Sequence, residues 1–353
     1  MAEDPGNDVA TDALIVSISD YPVAGGLLAP LPGATRDSVR VSRFIAANTT
    51  GITVEDVCWP PRAAPPGQPP RPWNKFRLDG AMRGYVNVGL QQMQDRLFVY
   101  ISGHARCTVQ DPAMPAVYCA SHSRSVPDLF APAGWVRLLT AAALYREYLF
   151  FFDCCNDMEP GQVPQPPPLE LKYRDDKPSV LVVAACAPNQ QAVETDKGGV
   201  FTDVLLEALS GSAGGTGEDV TAREVVDYLK EWVPKRAEAL EHGRVQTPKE
   251  WFDPGMHADL ADFKLFKRPK VSVDVGPLLE GRAAADVEVL GSDLEPAGAL
   301  VAGAGAAVQL QDVYPGKYLL RARSGDWRRL VLVKTGVDDA GQVAPVVEPV
   351  QVA

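Results

Sequence analysis

Apolar positions in the first three quarters of the chain come in short unbroken runs separated by stretches of helical period. Ala13–Ser19, Ile52–Trp59, Arg96–Ser102, Tyr148–Asp153 and Ser179–Cys186 read as strands one to five. Between them, Thr35–Asn48 (with Val39, Phe44 and Ile45 toward one side), Phe76–Met93 and Trp135–Glu147 read as helices, and Val200–Leu209 and Ala222–Glu241 follow as two more. Phe263–Phe266 is a short candidate sixth strand. Strands three to five are almost wholly apolar, as strands buried on both faces are. Such strands alternating with helices predict an α/β fold with a mostly parallel sheet flanked by helices.

The pattern changes after Lys267. Val271–Val275 alternates, Val287–Leu290 and Val308–Leu310 are short apolar runs, and Lys317–Arg323 and Trp327–Lys334 flank Ser324-Gly325-Asp326 as hairpin arms flank a turn. No helical period is evident there, and the Ala- and Gly-rich 297–307 takes no assignment. Two domains are expected: an α/β domain over 1–267 and a small all-β sandwich-like domain over 268–353. Pro60–Pro72 reads as an extended, exposed linker-like segment.

Charge narrows the class of partner. The net charge is −11, of which −9 lies before residue 268. An acidic body disfavours nucleic acid and anionic membrane as partners and suits a basic peptide. MAEDPGNDVATD has no apolar core of a secretory signal, and runs such as Val180–Ala187 are too short to span a bilayer, so a cytoplasmic protein with reduced cysteines is expected. The six cysteines make no CxxC pair or Cys/His spacing for a metal, so no metal site and no cofactor are expected. Gly211–Gly217 lacks the spacing of a phosphate-binding loop and reads as a plain loop.

Candidate chemistry sits where strands end. In open parallel sheets, ligands bind at the carboxyl ends of strands. His104 follows strand three and Cys155 follows strand four, 51 residues apart in the chain and close in space if those strands are neighbours. An imidazole beside a thiol takes its proton, and the thiolate is the nucleophile. Cys154 is the rival nucleophile. Cys58, Cys107, Cys119 and Cys186 read as structural, and His122, His242 and His257 as surface residues.

DALIVSIS, LPGATRDS, LFVYISGHA, YLFFFDCC, VLVVAACAPNQQAVET, GGVFTDVLLEAL and the QTP of 246–248 occur in this order. In that order, over about residues 11–267, the chain resembles caspase-like cysteine peptidases, and the metacaspase and bacterial caspase-like branch more than animal caspases. A His about 50 residues before the Cys is itself a caspase arrangement. The resemblance implies that His104 is the general acid/base and Cys155 the nucleophile. It also implies that the backbone N–H groups of Ala105 and Cys155 form the oxyanion hole. Ala105 stands where the family usually has Gly, and Asn156-Asp157-Met158 replaces a usual His-Ser-Gly.

For the pocket that holds the residue before the cut, P1, the resemblance implies Asp37, Ser102 and Asp153. Two carboxylates facing one pocket suit a Lys or Arg side chain through charge-assisted hydrogen bonds. The expected activity is therefore endopeptidase hydrolysis of protein or peptide substrates after Arg or Lys. The 156–177 loop carries Lys172, Arg174 and Lys177, sites at which a basic-specific peptidase can cut itself or an upstream protease can cut, so cleavage there is expected to accompany activation. Calcium, with Asp175 and Asp176 as candidate ligands, is a minor expectation, as are cell-death or antiphage roles. The alternative is a catalytically silent scaffold that acts by recruitment through its β-rich C-terminal domain.

Overall fold

The computed structural model describes residues 9–59, 73–86, 94–108, 111–158, 177–195, 198–214, 218–240, 243–252, 262–291, 294–302, 307–325, 327–337 and 343–349. They fall into two compact units, one built from 7–204 and 229–262, the other from 205–228 and 263–353.

The first unit is built on a six-stranded sheet. Its strands are β1 (Ala10–Ile18), β2 (Thr50–Trp59), β3 (Gln94–Gly103), β4 (Tyr145–Cys154), β5 (Ser179–Ala184) and β6 (Lys249–Glu250). Their order across the sheet is β6-β5-β4-β3-β1-β2, and only β6 is antiparallel to its neighbour. The fold is thus α/β with a mostly parallel central sheet, as the sequence pattern predicts. The sixth strand differs from expectation. Lys264–Lys267 pairs instead with Asp219–Thr221 in a separate two-stranded sheet, and a two-residue polar segment completes the central sheet. Backbone pairing with β5 and an ion pair from Lys230 to Glu250 hold so short a polar strand, so hydropathy carries no trace of it.

Helix α1 (Pro32–Asn48) starts three residues before the predicted Thr35, because Pro32 is suited to the first helical turn, where no N–H is needed. Helix α2 (Lys75–Gly84) is capped by the Asn74 side chain, which accepts from the Arg77 N–H; residues 87–93 of the longer predicted helix lie outside the described residues. Helix α3 (Pro132–Ala142) ends five residues before the predicted Glu147. Ala143 is left-handed (φ 47°), and Tyr145 already opens β4. Helices α4 (Val200–Glu207) and α5 (Ala222–Leu240) match their predicted positions to within two residues, the stretch after α4 closing as a π-turn over Ala208–Ser212.

Strand alternation sorts the site from the core. On β1, β3 and β4, the residues Leu14, Val16, Ile18, Leu97, Val99, Ile101, Tyr148, Phe150, Phe152 and Cys154 face the larger apolar core with α3. The intervening positions, among them Ser17, Tyr100, Ser102 and Asp153, face the other way. Ser17 Oγ donates to Ser38 Oγ of α1 at 3.1 Å, which places α1 over that second face.

The second unit has two antiparallel sheets. Val271–Asp274, Val308–Val313 and Ala299–Ala302 form one; Val287–Leu290, Gly316–Ala322, Arg328–Val337 and Val343–Pro349 form the other. Val273, Val275, Val289, Leu310, Leu320, Val331 and Val333 make one core, the arrangement of a sandwich. The expected hairpin is present around Gly325, whose φ of 81° suits a tight turn. Ala299–Ala302 and Val343–Pro349 are strands that the sequence reading leaves unassigned. Residues 205–228 join this unit through the Ser210 and Ser212 hydroxyls, which meet Thr335, and through the buried Arg268, which donates to Ala213 O and Glu224. Among the described residues, no helix is long and apolar enough to cross a membrane.

Candidate active site

The ladder between β3 and β4 decides which residues meet. Ser102 pairs with Asp153 and Gly103 with Cys154, so His104 and Cys155 leave adjacent strand ends together. Gly103 must be glycine here: a Cβ would meet the Tyr21 hydroxyl at 3.0 Å and Ile18 O at 3.3 Å. Its φ of 157° is also strained for other residues.

The two cysteines part company by pleat parity. Cys154 is 1 % exposed in the apolar core, its Sγ directed at Ile101 O, and burial raises its thiol pKa well above the usual value. Cys155, just past the strand, is half-buried and opens onto a cleft. Burial raises its pKa too, opposed by the Ala192 backbone N–H that points at the thiol.

Tyr21 and a carbonyl hold His104. The His104 backbone N–H donates to the Tyr21 hydroxyl at 2.7 Å, and that hydroxyl donates to Ile18 O at 3.0 Å. The two rings lie 5.1 Å apart. His104 Nε2 sits 2.8 Å from Ala29 O. A carbonyl only accepts, so Nε2 carries the proton and Nδ1 keeps the basic lone pair. Burial lowers the imidazole pKa, leaving the ring neutral at pH 7. Among the described residues, no hydrogen bond joins the His104 ring to the Cys155 thiol. The imidazole is thus neutral and the Cys155 thiol protonated.

Ala105 begins a short strand, Ala105–Thr108, which runs antiparallel to Asp111–Tyr118. The Tyr118 N–H donates to His104 O while the His104 N–H goes to Tyr21, and the adjoining Ala105 and Val117 are the next, non-bonded pair of the ladder. The Ala105 N–H therefore points away from that strand. On the other side of Ala105–Thr108 runs Asp157–Met158, just beyond Cys155.

The cleft beside Cys155 encloses about 340 Å³ of space, its open mouth included. Asp37, Ser102 and Asp153, the three residues predicted from separate parts of the sequence, all line it. Asp37 Oδ2 accepts the Gly199 N–H at 2.6 Å, and Arg40 approaches its Oδ1 at 3.5 Å while also pairing with Asp203. Asp153 Oδ2 accepts from the Thr202 hydroxyl at 2.6 Å, with the Tyr100 hydroxyl 2.7 Å from Thr202. Both carboxyls are raised, Asp37 by burial and then by Asp153, and Asp153 to about 6, chiefly by burial.

Several members of the site escape sequence reasoning. Gly198 and Gly199 lie directly against the carboxylates: a Cβ on Gly198 would overlap Asp37, and one on Gly199 would meet Asp153 Oδ2 at 2.6 Å and Asp37 Oδ2 at 3.2 Å. Glu194 faces Gly199 across a two-residue antiparallel ladder and lines the same cleft. Thr202, Tyr100 and Arg40 support the aspartates. The adjacent glycines in GGVFTD were the available signal. Among the described residues, no group of three or more His, Cys, Asp or Glu is placed to hold a metal. Asp175 and Asp176, and most of the 156–177 loop, lie outside the described residues.

No protein-family model matches the chain, and no curated protein matches it. Among solved structures it is similar to caspase-1 of Spodoptera frugiperda (TM-score 0.47, 16 % identity, 71 % of this chain and 91 % of that one). It is also similar to pro-Sf-caspase-1 (TM-score 0.42, 14 % identity, 71 % and 96 %). A crystallised protein of Geobacter sulfurreducens is a third neighbour (TM-score 0.44, 15 % identity, 71 % and 97 %).

Proposed function

We propose that the chain is a cysteine endopeptidase that hydrolyses peptide bonds after Arg or Lys, with Cys155 as nucleophile and His104 as general base and acid. One observation carries this reading: Cys155 opens onto a cleft whose inner wall holds two buried carboxylates, Asp37 and Asp153. A carboxylate pair 1 % and 6 % exposed is costly to bury, and a cation entering the cleft offsets that cost. The ordered motifs shared with caspase-like peptidases, and their metacaspase branch in particular, point the same way.

In this scheme the basic P1 side chain enters the cleft and its carbonyl carbon comes to rest above Cys155. The thiol proton passes to His104 Nδ1 as sulfur attacks. The oxyanion that forms is held by the N–H groups of Ala105 and Cys155. The imidazolium then gives its proton to the leaving amine as the C–N bond breaks, leaving a thioester on Cys155. Water, deprotonated by His104, hydrolyses that thioester and restores the thiol. Ala29 O and Tyr21 fix the ring so that Nδ1 does this work.

The test is cleavage of fluorogenic peptides that differ only in Arg, Lys, Asp or Leu at P1. Release from the Arg and Lys peptides alone is the expected result; release after Asp alone refutes the acidic pocket, and no release from any peptide refutes the peptidase.

Two further outcomes follow from the cleft. The carboxyl pair titrates with raised pKa values, and only its ionised form attracts a cation. KM for the Arg peptide is therefore expected to rise as pH falls through about 6, by up to ~10-fold per pH unit, with kcat changing less. A pH profile of KM that is flat from pH 7.5 to 5 contradicts the reading. Gly199→Ala puts a methyl group onto both carboxylates with no backbone penalty, since the φ of Gly199 is not in the left-handed region. It is expected to lower kcat/KM for the Arg peptide about 10- to 100-fold, mainly through KM, while the protein stays folded by circular dichroism.

A further inference from the structure

We infer that Glu194 makes this cleft select arginine over lysine, an inference that rests on the basic-P1 reading above. Asp37 and Asp153 both reach Gly199: its N–H donates to Asp37 Oδ2, and a Cβ built on it would meet Oδ2 of each. Glu194 is the residue opposite Gly199 in the ladder, so its carboxylate stands on the same cleft wall as a third acceptor. It is less buried than the aspartates and so lies nearer the mouth. Glu194 Oε1 accepts the Gly33 N–H at 2.5 Å, and Oε2 takes no hydrogen bond from any described residue. The Gly33 bond fixes the side chain against the start of α1, so Oε2 is a positioned acceptor rather than a mobile surface group.

The two basic side chains use such a cleft differently. A lysine ammonium gathers its three donors at one point, and the two aspartates already surround that point. An arginine guanidinium spreads five N–H donors over a plane. Its two terminal NH₂ groups reach the aspartates while Nε–H, two bonds closer to the backbone, is left for an acceptor nearer the mouth. Glu194 Oε2 is that acceptor. Without it, Nε–H would enter the cleft unpaired, and the advantage of the wider group would disappear.

Glu194→Gln isolates the effect. The amide oxygen still accepts from Gly33, and the atom that met Nε–H becomes a donor. We expect wild-type kcat/KM to favour Arg over Lys at P1 by ~10-fold or more, and the variant to lower the Arg value about 10-fold and the Lys value by less than about 3-fold. A binding readout free of catalysis accompanies it: calorimetric titration with n-butylguanidinium and n-pentylammonium. The wild type should bind the guanidinium more tightly and the variant should bind the two alike. Glu194→Asp, too short to keep both contacts, should fall between them. If wild type treats Arg and Lys peptides alike, or the variant lowers both equally, Glu194 contributes only charge and the inference fails while the basic-P1 reading stands. If wild type cleaves neither peptide, both fail.

Discussion

Cys155→Ala is expected to reduce hydrolysis of Arg and Lys peptides to background, a loss of at least roughly 10⁴-fold, while Cys154→Ala leaves kcat/KM within about 3-fold of wild type. The contrast comes from strand parity. Cys154 continues the core face of Phe150 and Phe152, its thiol is buried, and burial holds it protonated. Its loss leaves a small void worth on the order of 1 kcal/mol in stability, read as a fall of a few degrees in Tm. Cys155 stands one residue on, past the ladder, where its thiol reaches the cleft. His104→Ala should cost about 10²–10⁴ in kcat, because in the proposed mechanism the proton taken from sulfur and the proton given to the leaving amine both pass through its ring. A Cys154→Ala enzyme that is inactive yet folded would reverse the assignment. Alkylation followed by peptide mass mapping gives an independent check: iodoacetamide should label Cys155 and spare Cys154 in the native protein.

How much of this was legible in the sequence follows from what each feature depends on. The apolar runs around Leu97–Ile101 and Tyr148–Phe152 announce buried parallel strands because burial on both faces leaves no other composition open. His104 and Cys155 could be paired because strand ends are few and the chemistry needs both residue types. Asp37, Ser102 and Asp153 came only through the family resemblance, and the structure brings all three to one cleft. Helix ends were less legible. Tyr145–Glu147 continues the helical period of α3, yet the left-handed Ala143 turns the chain and sends Tyr145 into β4, where its hydroxyl donates to Asp12. Glu194, Gly198 and Gly199 were missed for a different reason. Their role lies in contacts with α1 across some 160 residues of chain, and nothing in a local window distinguishes a glycine packed on a carboxylate from a glycine in a loop. The edge strand Lys249–Glu250 is similar: two charged residues become a strand only because β5 offers an unpaired edge.

Asp153→Asn should be more stable than the wild type at neutral pH and nearly inactive. Asp153 is held at about 6 in the folded protein against 3.8 for a free side chain. Between those values the native state binds more protons than the unfolded state, so stability falls as pH rises through that window, and at pH 7–8 the wild type carries the whole penalty. That penalty is on the order of 1–3 kcal/mol. The amide is never ionised, and it keeps a partner in Thr202, whose hydroxyl can donate or accept. Urea unfolding is therefore expected to show Asp153→Asn the more stable by that order at pH 8, with the gap closing as pH falls from 6 to 4. Removing the Asp153 charge also relieves Asp37, whose carboxyl should then titrate at lower pH. Activity should move the other way. A P1 cation that loses one of two buried partners loses about 10²-fold or more in kcat/KM, whereas the affinity of the site for a neutral P1 analogue should not fall. A variant less stable than wild type at every pH would mean that Asp153 holds the fold together through Thr202 and Tyr100, and its inactivity would then say nothing of the pocket. The opposite pattern, a stabilised and inactive protein, is what a carboxylate kept at the expense of folding for the sake of binding produces.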